Sequence, residues 1–411
     1  MQEQELIPHL FKTEYRKIIS VLCKFFGIVN IEVAEDIAND TFLLASETWG
    51  LKGVPENPTA WLYTVAKNKT KDYFKRTKIY NEKVVIALKK TEPLSNIQEL
   101  DLSEDNIKDS QLQMLFTVCN PINSNESQIA LALRILCGFG IDEISNALLS
   151  TKETINKRLY RAKSTLRKNS VDLSFPSNID LEKRMDNVLS IVYLLFNEGY
   201  YSSTYSDTIS KELCIEAMRL LYILLENDQT NTPKTNALMA LFCFHASRFD
   251  ARFDKKRQQI MYDDQDKTIW DENLIKKGEI YLNQSAKGEH ISKYHLEASI
   301  AFWHSRKEID VKTKWNNILQ LYNRLLQLEY SPIAALNRTY ALAMAENKKI
   351  ALTEALKIDL NQNYLYHSLL AELYKGINTQ KQIAHLELAM KLTKNENNRI
   401  LLRNKRDAAN G

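Results

Sequence analysis

The chain has 411 residues, which at roughly 150 residues per domain suggests two to three domains with sizeable cores. Apolar residues make up 44% and charged residues 26%, so neither a disordered polymer nor a membrane protein is indicated. Only 10 Gly and 8 Pro disfavour an all-β sandwich or barrel and favour long helices joined by short loops. The net charge of +4 excludes little by itself, because local blocks of opposite sign nearly cancel.

Acidic and basic residues from Glu3 to Lys17 interrupt the start of the chain, which disfavours a secretory signal and predicts a cytoplasmic protein. The strongest apolar run, Val188 to Phe196, is far short of the ~20 residues a membrane-spanning helix needs. Cys23, Cys119, Cys137, Cys214 and Cys243 are widely spaced and form no C-x-x-C pair, so they read as buried apolar fillers rather than disulfides or zinc ligands.

In chain order, Phe11, Tyr15, Ile18, Leu22 and Phe25 fall on one face of a first helix. A second follows with Ala34, Ile37, Thr41, Leu44 and Thr48. Between Ile31 and Trp49 it carries Glu32, Glu35, Asp36, Asp40 and Glu47 but no Lys or Arg. Its acidic side is a solvated face or a docking surface for a basic partner. Asn57 as N-cap and Pro58 behind it announce a third helix, which turns Trp61, Leu62, Val65 and Ala66 inward. From Lys67 to Lys78 this helix holds six bases against Asp72, and Lys67, Lys71, Lys75 and Lys78 make one stripe. Trp61, Tyr63, Tyr73 and Phe74 interleave with those bases, a pattern on which single-stranded bases stack, although Trp61 also suits a core.

From Asn81 to Ser110 the periodicity fades and seven acids face four bases, which reads as a solvated linker. A helix over Gln128 to Cys137 is broken by Gly138 and Gly140, and a short one spans Ile141 to Leu149. Ser150, Thr151, Lys152 and Glu153 then read as a capping box with Ser150 as N-cap. The helix that follows hides Ile155, Leu159, Ala162 and Leu166 and carries seven bases against one acid from Lys152 to Lys168. Short helix, tight turn and basic helix make a helix-turn-helix. Asn156, Lys157 and Tyr160 lie opposite the buried stripe, where base edges are read, and Lys152, Arg158, Arg161 and Lys163 suit phosphates.

After a break at Ser174 to Asn178 the helical pattern continues to the end. Leu336 and Leu370, Tyr340 and Tyr374, Leu352 and Leu386, Ala355 and Ala389, and Leu356 and Met390 are each 34 apart, the tetratricopeptide period. Asp264, Gln265, Asp266 and the histidines His290, His295 and His304 lack metal-ligand spacing; a helix cap at Asp266 and partly buried histidines are expected, with no metal and no cofactor. Glu198 beside Gly199 has no partnered base, and no catalytic constellation or phosphate loop stands out, so no catalytic residue is assigned.

Three segments carry a family resemblance: Ala34-Glu35-Asp36-Ile37-Ala38-Asn39-Asp40-Thr41-Phe42, Trp61-Leu62-Tyr63-Thr64-Val65-Ala66-Lys67-Asn68 with Asp72, and Thr154 to Lys163. In order and spacing they resemble bacterial sigma-70 factors of the extracytoplasmic-function group. Phe196-Asn197-Glu198-Gly199-Tyr200, Asp264-Gln265-Asp266 with Trp270, and Leu336-Asn337-Arg338 resemble the markers of a subgroup with a long C-terminal helical-repeat extension. The resemblance implies an all-α chain with region 2 over 1–80, an acidic linker over 81–110, a region 4 helix-turn-helix over 111–170 and a tetratricopeptide-like extension over 178–411. It implies core RNA polymerase as partner, through the β′ clamp helices and the β flap, with docking by Asp36, Asn39, Asp40 and Phe42. It implies minus-ten promoter recognition and melting by Asn57, Trp61, Lys67, Asn68, Lys71, Lys75 and Arg76. Minus-thirty-five recognition falls to Thr151, Lys152, Thr154, Asn156, Lys157, Arg158, Tyr160, Arg161 and Lys163. Asn39 and Asp40 stand where the family has Gln and Glu, and Lys67 where it has Arg. The extension is expected to regulate the promoter-reading modules and to take a protein or peptide ligand. Two rival readings remain at this stage: a duplex-only regulator with the repeats as sensor, and an enzyme with a DNA-binding head.

Overall fold

Long amphipathic stretches with few glycines produce helices throughout, and the computed structural model contains no strand among the residues it describes, which are 3–85, 100–148, 150–201, 207–252, 260, 262–307, 309–393 and 396–410. Two units divide the chain, 1–198 and 199–411.

In the first unit α1 (Glu3–Phe26) is the central element. It buries Tyr15, Ile18, Ile19 and Leu22, and Phe11 stacks on Tyr15 with ring centroids 4.6 Å apart. After a 3-10 turn comes α2 (Ile31–Lys52), ended by Gly53 at φ 82°, a conformation that L side chains rarely adopt. Then α3 (Pro58–Val85) starts on the Asn57 cap, whose Oδ1 accepts from the Ala60 amide at 3.0 Å. The solvated linker read from Asn81 to Ser110 is shorter in the structure. Its residues 86–99 lie outside the described ones, but α4 (Glu104–Val118) already begins on a Ser103 cap and buries Ile107.

The helix read over Gln128 to Cys137 is α5 (Asn125–Leu131) running into a single π-helical turn, Ala132–Leu136. Gly138 at φ 73° redirects the chain where a Cβ would meet the α1 backbone at Phe11 and Lys12. Next come α6 (Ile141–Ala147) and α7 (Lys152–Lys168). The cap of α7 falls one residue later than the capping box suggests. Thr151, not Ser150, accepts from the Thr154 amide, at 3.1 Å, while Glu153 pairs forward with Lys157 at 2.6 Å. α8 (Asn178–Tyr201) anchors on the first unit, since Arg184 donates to the Phe116 carbonyl and Asn187 to the Cys119 carbonyl and Gln128. The first unit therefore extends beyond the break at Ser174 to Asn178.

In the second unit, after α9 (Asp207–Leu225), α10 (Pro233–Ala246) is buried on nearly every side. α11 (Glu272–Ser285) comes so close that a Cβ at Gly278 would lie 2.6 Å from the Phe244 ring. α12 (Lys293–Ser305) and α13 (Val311–Leu328) lead to α14 (Pro332–Ala345) with α15 (Lys348–Ala355), then α16 (Tyr364–Tyr374) with α17 (Thr379–Leu392), and α18 (Glu396–Asn410). Leu336 and Leu370 occupy matching buried positions of α14 and α16, as do Ala355 and Ala389 in their partner helices; of the 34-spaced residues Leu356 faces solvent. Among the described residues no helix is long and apolar enough to cross a membrane.

Candidate functional site

On α2 the side chains at 36, 39, 40, 43 and 47 recur every three or four residues and are exposed, so Asp36, Asn39, Asp40 and Glu47 share a face with Leu43. Phe42, expected on that face, is a core residue. It is 5% exposed and packs against Phe11 and Tyr15, at 5.0 and 6.2 Å between centroids. The buried row Ala34, Ala38, Phe42, Ala45 and Trp49 is the signal that places it inward. Asp40 reaches across to Lys69 of α3 at 3.2 Å, an exposed pair that water screens strongly.

On α3, Asn57, Asn68, Lys71, Lys75 and Arg76 are exposed and Lys67 is half-buried. Lys75 lies 3.9 Å from Asp72. Lys78 falls outside the residues whose side chains are described. The rings interleaved with these bases pack inward to differing degrees. Trp61 meets Trp49 edge-on at 5.3 Å, Tyr73 and Phe74 meet Phe26, and Phe74 also meets Phe25. Tyr63 donates to Glu14 at 2.8 Å, and its burial together with that carboxylate pushes the phenol pKa up.

The buried stripe of α7 is the one the sequence suggests: Ile155, Leu159, Ala162 and Leu166. Thr151, Lys152, Thr154, Asn156, Lys157, Tyr160 and Arg161 are exposed, with Tyr160 at 72%, and Arg158 is half-buried. Lys152 pairs with Asp142 of α6 at 2.7 Å. Lys163, expected at a phosphate, instead turns inward and donates to Glu35 of α2, the two side chains keeping 13% and 11% of their surface. Arg134 approaches the same carboxylate at 3.7 Å, and Arg167 donates to Glu32. Sequence reasoning missed Glu32, Glu35, Arg134 and Arg167 as a set, because their pairings span about a hundred residues or more and leave no local pattern.

In the second unit the expected cap holds: Asp266 accepts from Thr268 at 2.9 Å, and the paired hydroxyl and amide hold its pKa below the usual carboxylate value. Nearby, Arg248 stacks over Tyr262 and Trp270 and donates to Tyr200. Burial, with the Lys314 and Arg248 cations, lowers the His304 pKa to about 3, and burial with Arg248 and Arg252 lowers that of His245. His295 accepts from the Ser292 amide at 3.1 Å, and His290 is exposed. Among the described residues no three His, Cys, Asp or Glu gather to hold a metal ion. All five cysteines are buried thiols, and burial pushes Cys119, Cys214 and Cys243 up to about 12.

The family model for sigma-70 region 2 matches residues 10–79, the span of α1 to α3, and a family of unknown function, DUF6596, matches residues 184–286. Uncharacterized protein R00370 of Rhizobium meliloti (strain 1021) is 30% identical over 367 residues, covering 87% of this chain and 85% of the relative. No solved structure matches. The chain therefore belongs to one family with the rhizobial protein, and it carries a sigma-70 region 2 match near its N-terminus with a DUF6596 match behind it.

Proposed function

We propose that this chain is a non-catalytic sigma factor of the extracytoplasmic-function type, working in the cytoplasm. It binds core RNA polymerase and directs promoter-specific initiation. The observation that carries the reading is the coincidence of the sigma-70 region 2 match with a helix whose Asp36, Asn39 and Asp40 face solvent beside the bases of α3. In this reading the acidic face docks on the β′ clamp helices. Asn57, Asn68, Lys71, Lys75 and Arg76 lie along the minus-ten strand, with Trp61 and the half-buried Lys67 behind them. The helix-turn-helix of α6 and α7 reads the minus-thirty-five duplex and meets the β flap. Asn156, Lys157 and Tyr160 take base edges, Arg158 and Arg161 phosphates. The second unit is a tetratricopeptide-like array that regulates initiation and takes a protein or peptide segment on its stacked hairpins.

Full-length protein mixed with core polymerase and a promoter library should give promoter-dependent transcripts. Asp36→Lys with Asp40→Lys should weaken association with core polymerase about tenfold, near 1.4 kcal/mol, because it reverses charge on an exposed face. Unchanged association would remove the docking assignment, and absence of any polymerase binding by the parent chain would remove the sigma reading.

A further inference from the structure

Tyr262 stands at the centre of a charged aromatic cluster in the second unit. Arg248, just past the end of α10, places its guanidinium carbon 5.1 Å from the Tyr262 ring and 5.8 Å from the Trp270 ring, and it donates to the Tyr200 hydroxyl at 3.0 Å. Lys314, in the first turn of α13, donates to the Tyr262 hydroxyl at 2.8 Å and lies 4.8 Å over its ring. That hydroxyl donates in turn to the His304 carbonyl in the last turn of α12, 2.5 Å away. The Asp271 amide donates to the Ser247 carbonyl at 2.8 Å, which ties the Trp270 turn to the end of α10. The Trp270 and His304 rings lie 6.0 and 5.1 Å from that of Tyr262.

Arg248 has no carboxylate partner among the described residues; it meets two rings and a hydroxyl. The indole N–H of Trp270, a residue 2% exposed, has no acceptor, and His304 Nδ1 and Gln265 Oε1 are likewise without hydrogen-bond partners. Besides burial, the charges that depress the His304 pKa are the cations Lys314 and Arg248. Packing alone would be served by apolar side chains, whereas unpaired donors gathered beside an unneutralised cation call for a counter-charge. We propose that Arg248 and Trp270 bind the oxyanion, carboxylate or phosphate, of a small organic molecule. A guanidinium packed on rings offers its remaining N–H edge in the fork that two oxyanion oxygens match. The indole N–H adds a donor, Lys314 adds attraction, and the Tyr262 and Trp270 rings suit the apolar part of such a molecule. Half-buried Arg248 and Tyr262 keep the cluster within reach of solvent. The site stands or falls independently of the polymerase assignment.

The test follows the indole N–H resonance of Trp270 in the isotope-labelled full chain, assigned with Trp270→Phe. Acetate, benzoate and inorganic phosphate are titrated separately. At least one should shift the resonance saturably at millimolar concentration or below, while benzamide, which has the shape of benzoate without its charge, and chloride at equal ionic strength should not. A response to the carboxylates alone identifies an organic acid, and a response to phosphate alone a phosphate ester. Arg248→Lys keeps the charge but loses the fork, so it should weaken the effective anion about tenfold, with the other indole resonances reporting that the fold is kept. Silence with all three anions, an equal response to benzamide or chloride, or unchanged affinity in a folded Arg248→Lys would overturn the site. Should that variant fail to fold, the parent's response to the anions against benzamide and chloride still decides.

Discussion

Lys163 and Arg167 sit one turn apart and both meet α2 carboxylates, yet their environments make them unequal. Lys163 and Glu35 are nearly withdrawn from water, and losing one partner of such a pair strands the other charge, at about 3–5 kcal/mol. Arg134 remains near Glu35, so Lys163→Met is expected to cost roughly 2 kcal/mol. Arg167 and Glu32 keep 38% and 48% of their side-chain surface, and Arg167→Ala should cost about 0.2–1 kcal/mol. Hydrogen exchange at the amides of α2 and α7 reads the difference; equal protection in the two variants would show that burial at Glu35 carries no weight. A second residue-scale prediction concerns acid. Unfolded, His304 titrates near 6.5, but folded it titrates at about 3. Between those values the unfolded chain binds more protons, so stability falls as pH drops, by up to about 1.4 kcal/mol per unit. His304→Phe keeps a ring against Tyr262 and Trp315 while removing the titration, so its stability should fall less steeply from pH 6.5 to 4. His245, also depressed, leaves a residual slope. Denaturation curves of both proteins across that range check it, and parallel slopes would place the acid sensitivity elsewhere.

At the scale of the element, α7 is divided along its length. Its N-terminal half presents Asn156, Lys157, Tyr160 and Arg161 to solvent, while its C-terminal half spends Lys163 and Arg167 on α2. Lys157→Ala or Tyr160→Ala should therefore reorder promoter preference. Arg158→Ala or Arg161→Ala should weaken all duplexes alike and reduce the salt slope by about one. Anisotropy titrations of a duplex panel over a salt series separate the two classes, and an unchanged ranking in Lys157→Ala and Tyr160→Ala would mean that the helix docks differently. The buried stripe of this helix and the Asn57 and Asp266 caps were legible in the sequence, because each is fixed by residues within one or two turns. The exact cap of α7 was less so, since Ser150 and Thr151 offer the same chemistry one residue apart. The inward turn of Lys163 was not legible at all, because its partner lies 128 residues away and a base beside a recognition stripe looks like a phosphate contact. Phe42 differs for another reason: only the family resemblance sets it on the docking face, whereas the row Ala34, Ala38, Phe42, Ala45 and Trp49 turns it inward.

For the whole molecule, the all-helical class followed from composition, whereas the limit between the units did not. The Ser174 to Asn178 break is a real interruption between α7 and α8, yet α8 belongs with the first unit through Arg184 and Asn187. A cut after Ser177 would strip that helix and leave the Phe116 and Cys119 carbonyls and Gln128 without these donors, each loss costing about 1–3 kcal/mol where the group stays buried. The cut that tests regulation in cis therefore falls after Tyr201, between α8 and α9. A protein ending there should fold and bind core polymerase, because region 2 and α4 to α8 are all retained. If the second unit acts on initiation, its promoter-dependent transcription should differ from the full chain's by several-fold, upward if the array restrains the promoter-reading modules and downward if it helps them. Transcription by purified polymerase and reporter output in cells must agree in direction. A truncated chain that initiates as the full-length one does in both settings assigns the second unit a role outside initiation. A truncation after Ser177 that matches the longer one in stability would show instead that α8 contributes nothing to the first unit.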